Sequence, residues 1–168
     1  MTINRKSLIA MLKSFNSQLW VKREIDGVGE VHNWMPIFKY TPPNYDDRHS
    51  YGLLDDGVWL PEYEDRLRVM QEGNYWGFYV LLYTPYKDIV SILRENVKRV
   101  GLPEVVITTF PFDLIIESSL STNTQWRDLA EEWINSGYPL NDNICALLPE
   151  NKLVVRQKNE RIKSIFGV

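Results

Sequence analysis

Two helical patterns in the C-terminal half of this chain stop in the same way, one at Gly101-Leu102-Pro103 and the other at Gly137-Tyr138-Pro139. A glycine just past the last helical turn takes the left-handed backbone without a Cβ penalty, and a following proline cannot continue the helix. An apolar run precedes each pattern, Phe78–Tyr83 before the first and Phe112–Ile116 before the second. A further strand-like run follows each, Val105–Thr109 and Ile144–Leu148. In order this reads as β-α-β twice over. The expected fold class is α+β: a ferredoxin-like sandwich of two tandem β-α-β units over residues 75–157, with four antiparallel strands under two helices. The competing arrangement is a three-layer α/β fold in which N-terminal helices cover the second face of the sheet.

The two central helices are well specified. Thr84 can cap a helix that starts at Pro85, and Ile89, Leu93, Val97 and Val100 share one face. Lys98 and Arg99 suit the negative C-terminal end of its dipole. Thr122 and Gln125 have capping-box spacing, and Trp126, Leu129, Ala130, Trp133 and Ile134 form an apolar face behind them. Tyr75–Tyr83 is nearly continuously apolar, as a strand covered on both faces would be. After the turn at Pro149-Glu150-Asn151, a last strand is expected at Leu153–Arg156. A short helix carrying Ile162, Ile165 and Phe166 would end the chain.

Residues 1–73 read as a helix, hairpin and helix elaboration on the duplicated core at 74–168, the whole forming a single domain of 168 residues. Leu8, Leu12, Phe15 and Leu19 recur at helical spacing over residues 5–19. A strand at Trp20–Ile25 meets the turn dipeptide Asp26-Gly27 and returns at Val31–Tyr40. Pro36 interrupts that return strand and makes it an edge strand or two short pieces, because proline cannot donate to a central ladder. Residues 41–52 show no apolar periodicity and are expected as a loop. Pro61 suits the first turn of another helix, with Glu62, Glu64 and Asp65 at its positive end, Tyr63, Leu67 and Met70 on one face, and Gly73 as its stop.

The net charge of -3 hides an uneven distribution. Both ends are basic, whereas residues 46–72 carry eight acids against three arginines. That balance, with a pI near 5.5 and no basic-aromatic motif of the kind that stacks single-stranded RNA, argues against nucleic acid as a partner. One cysteine permits no internal disulfide, and no apolar stretch approaches the ~20 residues of a membrane span. The chain is therefore expected to be cytoplasmic and to make no membrane contact.

No arrangement of residues announces catalysis. Cys145 lies in the apolar run Asn-Ile-Cys-Ala-Leu-Leu and reads as a small core residue rather than a thiolate. His49 with Asp46 and Asp47 offers metal-ligating atoms at no recognised spacing, so neither a metal nor a cofactor is expected. Gly27-Val28-Gly29 lacks the third glycine and the following helix that a dinucleotide fingerprint requires. What remains is an acidic, aromatic segment: Tyr45, Asp46, Asp47, Arg48, Tyr51 and Trp59. Tyrosines supply contact area at low entropic cost, and carboxylates steer a basic partner. The expectation is a non-enzymatic module that recognises another protein through this segment, with a basic partner favoured by its carboxylates and toxin neutralisation of the immunity type as one concrete form. The alternative is a small-ligand sensor or an enzyme drawing acid–base groups from residues 46–62.

Overall fold

The computed structural model describes residues 3–15, 18–43, 48–71 and 73–148. They divide into two compact units: the chain up to Gln71 together with Lys87–Pro111, and the segment ending at Tyr86 together with the chain from Phe112 onward. Strands and helices are mixed, as an α+β chain requires, but the ferredoxin-like sandwich is overturned, and so is the three-layer alternative. The sheet is a closed five-stranded barrel that lies entirely before the segment where the duplicated strands were expected.

The first unit opens with α1 (Arg5–Ser14), whose N-cap Asn4 accepts from the Ser7 amide. The strands β1 (Val21–Ile25), β2 (Val31–Tyr40), β3 (His49–Leu54), β4 (Trp59–Tyr63) and β5 (Arg66–Leu67) follow. Each neighbouring pair is antiparallel, and the barrel closes through a parallel β1–β5 pair, Glu24 with Arg66 and Ile25 with Leu67. The parallel closure is forced, because in a meander of five strands the first and the last run the same way. Asp26-Gly27 turns the chain between β1 and β2 as the dipeptide implies, with Gly27 at φ +75°.

The expected helix at 61–73 is instead β4, a tight turn and β5. Glu64 and Asp65 both have positive φ, as a two-residue hairpin turn needs. Pro61 sits within β4 opposite Tyr51. The acids that resemble a helix N-terminus have arginine partners instead. Arg23 of β1 pairs with Glu62 and Asp65, while Arg66 and Arg68 pair with Asp26.

Two apolar layers stabilise this unit. Ile25, Trp34, Leu54, Leu60 and Leu67 fill one cluster, flanked by Val21 and Val58. Phe38, Tyr51, Trp59 and Phe110 form a second, with Phe38 stacked on Tyr51 at 4.9 Å and Phe110 edge-on to Trp59 at 5.0 Å. Ser50–Leu54 of β3 are accordingly buried at every position. Gly52 makes the close approach possible. A Cβ there would lie 2.1 Å from the Met35 carbonyl oxygen and 2.7 Å from the Trp34 ring.

The helical part is α2 (Tyr86–Arg99), α3 (Phe112–Leu120), α4 (Gln125–Asn135) and α5 (Asp142–Leu147), with 3-10 turns at Trp76–Tyr83 and Glu104–Thr109. Thus all four strands expected at 75–83, 105–109, 112–116 and 144–148 are helical. A short apolar run has no period that separates a covered strand from a buried helix. The last expected strand and the terminal helix lie outside the described residues.

Both glycine-proline endings do terminate helices. Leu102 N–H reaches the Val97 carbonyl and Gly101 N–H reaches Lys98; Tyr138 N–H reaches Trp133 and Gly137 N–H reaches Ile134. These are paired Schellman caps, with Gly101 at φ +81° and Gly137 at φ +105°.

In the second unit, Trp133 is 1% exposed and its indole N–H donates to the Thr84 carbonyl at 2.8 Å. Trp126, expected to be equally buried, is half-buried and packs on Tyr79 and Tyr83. Among the described residues no helix is long and apolar enough to cross a membrane.

Trp133→Ala should cost about 3–5 kcal/mol in urea unfolding, the usual range for emptying a large aromatic site. Gly52→Ala should cost about 3 kcal/mol, at the upper end for overpacking, because the obstacle is a backbone carbonyl that cannot rotate aside.

Candidate functional site

The acidic, aromatic segment does not assemble a single surface. Tyr45, Asp46 and Asp47 lie outside the described residues. Arg48 is exposed immediately before β3. Tyr51 is 0% exposed and Trp59 4%, and both rings belong to the aromatic layer beneath β3 and β4. The indole N–H of Trp59 donates to Thr109 at 3.0 Å. The carboxylates of the segment diverge: Asp55 accepts from Asn33, Asp56 faces Arg5, and Glu62 pairs with Arg23. His49 is half-buried, with its ring 6.1 Å from that of Tyr63. Among the described residues, no three His, Cys, Asp or Glu side chains gather as a metal ion would require. Cys145 is half-buried on the helix α5, not on a strand.

Burial shifts several hydroxyls. Tyr51 loses its proton far above the ordinary tyrosine range, because burial penalises the phenolate and Tyr40 lies close by. Tyr138 shifts upward through burial first, then the hydrogen bond it donates to Asp113, and then the nearby Asp113, Tyr86 and Glu117. Tyr86 moves the same way, through burial and then Asp113. In the second unit Tyr86, Phe112, Trp133 and Tyr138 pack ring against ring at 4.8–6.4 Å. This cluster is filled by its own side chains and reads as core.

The most distinctive surface lies along β2. This strand is ten residues long, but β1 pairs only with Val31–Trp34. Among the described strands, Met35–Tyr40 pair with β3. Two hydrogen bonds fix which way the main chain faces. Ile25 N–H bonds Glu30, so Glu30, His32 and Trp34 turn their main-chain groups toward β1. Leu54 N–H bonds Val58 in β4, so Leu53 and Tyr51 turn theirs toward β2. By this alternation Pro36 and Lys39 stand at non-bonded pairs with β3, and their main-chain groups face away from it. Pro36 has no N–H to leave unpaired, so it is accommodated at little cost. Between them the ladder slips at Ile37, a bulge whose carbonyl turns outward to accept from Arg99 Nη2 at 3.4 Å.

A groove of ≈ 560 Å³ runs beside this edge, lined by Leu19, Pro36, Ile37, Phe38 and Lys39 and, from the end of α2, by Asn96, Arg99 and Val100. Among the described residues its charged lining side chains are two cations, Lys39 and Arg99, and both are exposed. A second hollow of ≈ 470 Å³ between α1 and the strands carries Lys13 and Asp55, opposite charges with no net preference.

The groove residues escape a reading of the sequence because Arg99 looks like a helix-dipole charge and Lys39 like an ordinary exposed strand position. One signal was available: a return strand of ten residues facing an outgoing strand of about six must extend past it. Compared with protein-family models, curated proteins and solved structures, the chain matches none.

The tyrosine shifts set a pH dependence. The unfolded tyrosine ionises near pH 10, and each buried one ionises higher. The folded chain therefore holds more protons above pH 10. The stability these neutral hydroxyls contribute is intact below pH 10 and is lost as the pH rises beyond it, by about 1.4 kcal/mol per pH unit for each tyrosine. Urea titrations between pH 9 and 11.5 should show this decline, and Tyr51→Phe and Tyr138→Phe should each flatten its slope.

Proposed function

We propose that this chain is a non-enzymatic binding module that recognises another protein, and that its recognition surface is the groove beside the second half of β2. The observation that carries the reading is the groove beside β2, where Pro36 and Lys39 turn their main-chain groups away from β3 and apolar side chains and two cations line one hollow. Proteins recognise extended partners with this combination: backbone groups contribute affinity and flanking side chains contribute selection. The enzyme reading gains no support from Asp55, Asp56 and Glu62, whose carboxylates go to three separate partners instead of meeting at one reacting centre. The acidic segment 46–72 also becomes a weaker attractant for a basic partner, because Glu62 and Asp65 are balanced by Arg23.

Panning a phage-displayed random peptide library against the whole chain tests this directly. Binders should be enriched. Leu19→Asp and Val100→Asp should weaken them at least ~10-fold, about 1.4 kcal/mol, while the melting temperature stays close to that of the parent. Failure to enrich any peptide would sink the protein-binding reading. Binders indifferent to both substitutions would move the surface away from the groove.

A further inference from the structure

We infer that the hollow between α1 and the strands binds a free α-amino acid as its zwitterion, with the ammonium on Asp55 and the carboxylate on Lys13. The site is separate from the groove beside β2, and the inference does not depend on the protein-binding reading.

The observation that carries it is a pair of opposite charges that share one hollow without pairing. Lys13 and Asp55 both line the space of ≈ 470 Å³, yet among the described residues neither takes part in an ion pair. Their charged atoms are therefore more than about 4 Å apart, the limit of a direct pair. A ligand that carries both charges on neighbouring groups answers each of them from within that gap. A purely anionic or purely cationic ligand would set its charge against Asp55 or Lys13.

Local bonding prepares the acidic end. Trp34 of β2 pairs with Leu54 of β3, so the next residues, Asn33 and Asp55, come side by side. Asp55 accepts from the Asn33 side-chain amide through Oδ2 at 3.2 Å. Among the described residues its Oδ1 and the Asn33 side-chain carbonyl have no donor, so two acceptors remain for the three N–H groups of an ammonium. Both residues are half-buried, where a charge-assisted hydrogen bond is screened less than at the open surface.

The basic end is less committed than it looks. Lys13 stands in the last turn of α1, where a cation ordinarily offsets the negative end of the helix dipole. Three carbonyls of that end already have donors. Phe15 N–H reaches Leu12, the Ser14 hydroxyl reaches Met11, and the Trp20 indole reaches Phe15. The Lys13 ammonium is thus available to a ligand carboxylate.

The rest of the lining selects the side chain. Leu12 is buried, Phe15 and Trp20 are half-buried, and the bond from Trp20 to the Phe15 carbonyl, 3.3 Å long, sets the indole before any ligand arrives. The volume falls at the lower end of small-molecule sites, roughly 300–1,000 Å³. An apolar amino acid fits this lining, whereas a third charge would find no partner among its described residues.

Isothermal titration calorimetry of the intact chain with the free L-amino acids tests this. Leucine, methionine or phenylalanine should bind saturably and ahead of aspartate and lysine. The methyl ester and the N-acetyl derivative of the tightest binder should each bind at least ~10-fold more weakly, because each lacks one charge-assisted contact. Asp55→Asn and Lys13→Gln should weaken the unmodified amino acid to the same extent. Lys6→Gln, exposed on α1 outside the hollow, should change it less than ~2-fold, as a distant screened charge does. Melting temperatures of the unliganded variants show whether they fold, and the derivative series needs no variant at all. Absence of saturable binding by any amino acid would overturn the inference. Binding that tolerates both derivatives would overturn the zwitterion, and binding that tolerates both substitutions would remove the site from this hollow. None of these results bears on the groove beside β2.

Discussion

Barrel closure in the first unit depends on two residue pairs. Glu24 with Arg66 and Ile25 with Leu67 are the whole β1–β5 ladder, extended by one bond from Asp26 N–H to the Leu67 carbonyl. So short a ladder is weak by itself, and the arginines beside it supply what backbone pairing cannot. Arg23 ties β1 to the β4–β5 turn through Glu62 and Asp65. Arg66 and Arg68 grip Asp26 from the other side, and Arg68 also lies 5.8 Å over the Tyr63 ring. Exposed ion pairs contribute little singly, but these share partners and several are half-buried, where screening is weaker. They also hold a turn that is costly for its residues, since Glu64 and Asp65 both adopt the left-handed backbone that glycine or asparagine takes more readily.

The groove follows from the same economy of strand length. A β1 of five residues reaches from the closing ladder at Ile25 only as far as Trp34 on β2, whose remaining six residues then lie beyond its end. β3 serves one side of that remainder and is itself buried on both faces, so its register is pinned by Leu54 within one apolar cluster and Tyr51 within the other. This stretch of β2 is therefore held in place by a rigid neighbour. A binding surface needs that support, because a groove wall that moved with its ligand would surrender the entropy that a preformed template saves.

Much of this was legible in the sequence wherever a residue type has one physical meaning. Gly101 and Gly137, each followed two residues later by proline, mark helix ends because no other residue takes that φ at so little cost. Asp26-Gly27 marks a turn, whereas Pro36 lies within one continuous strand between β1 and β3, at a non-bonded pair where its missing N–H costs little. What failed was the assignment of apolar runs. Phe78–Tyr83 and Phe112–Ile116 are buried on most sides, and burial erases the period by which a strand differs from a helix. The acids after Pro61 failed for another reason. A cluster of carboxylates near a proline fits a helix N-terminus, yet Arg23, distant in sequence, claims Glu62 and Asp65, and Asp26 claims the nearby Arg66 and Arg68. Long-range pairing of this kind has no local signature. Tyr51 and Trp59 were misjudged likewise. Aromatics beside acids suggest an interface, but Phe38 stacks on Tyr51, and Phe110 and Thr109, about fifty residues away, pack on Trp59.

The side chains along this stretch of β2 also limit what can pair with it. An open strand edge invites pairing with any other open edge, and proteins blunt such edges with prolines, lysines and bulges. Pro36, Ile37 and Lys39 are those three devices in sequence. Pro36 removes one donor, so only a strand whose register places no acceptor there pairs without loss. The bulge at Ile37 breaks the flat repeat that indiscriminate stacking needs. Lys39, with Arg99 beside it, opposes a second copy of the same edge, since antiparallel association would bring cations against cations. The same side chains thus discourage self-association along β2.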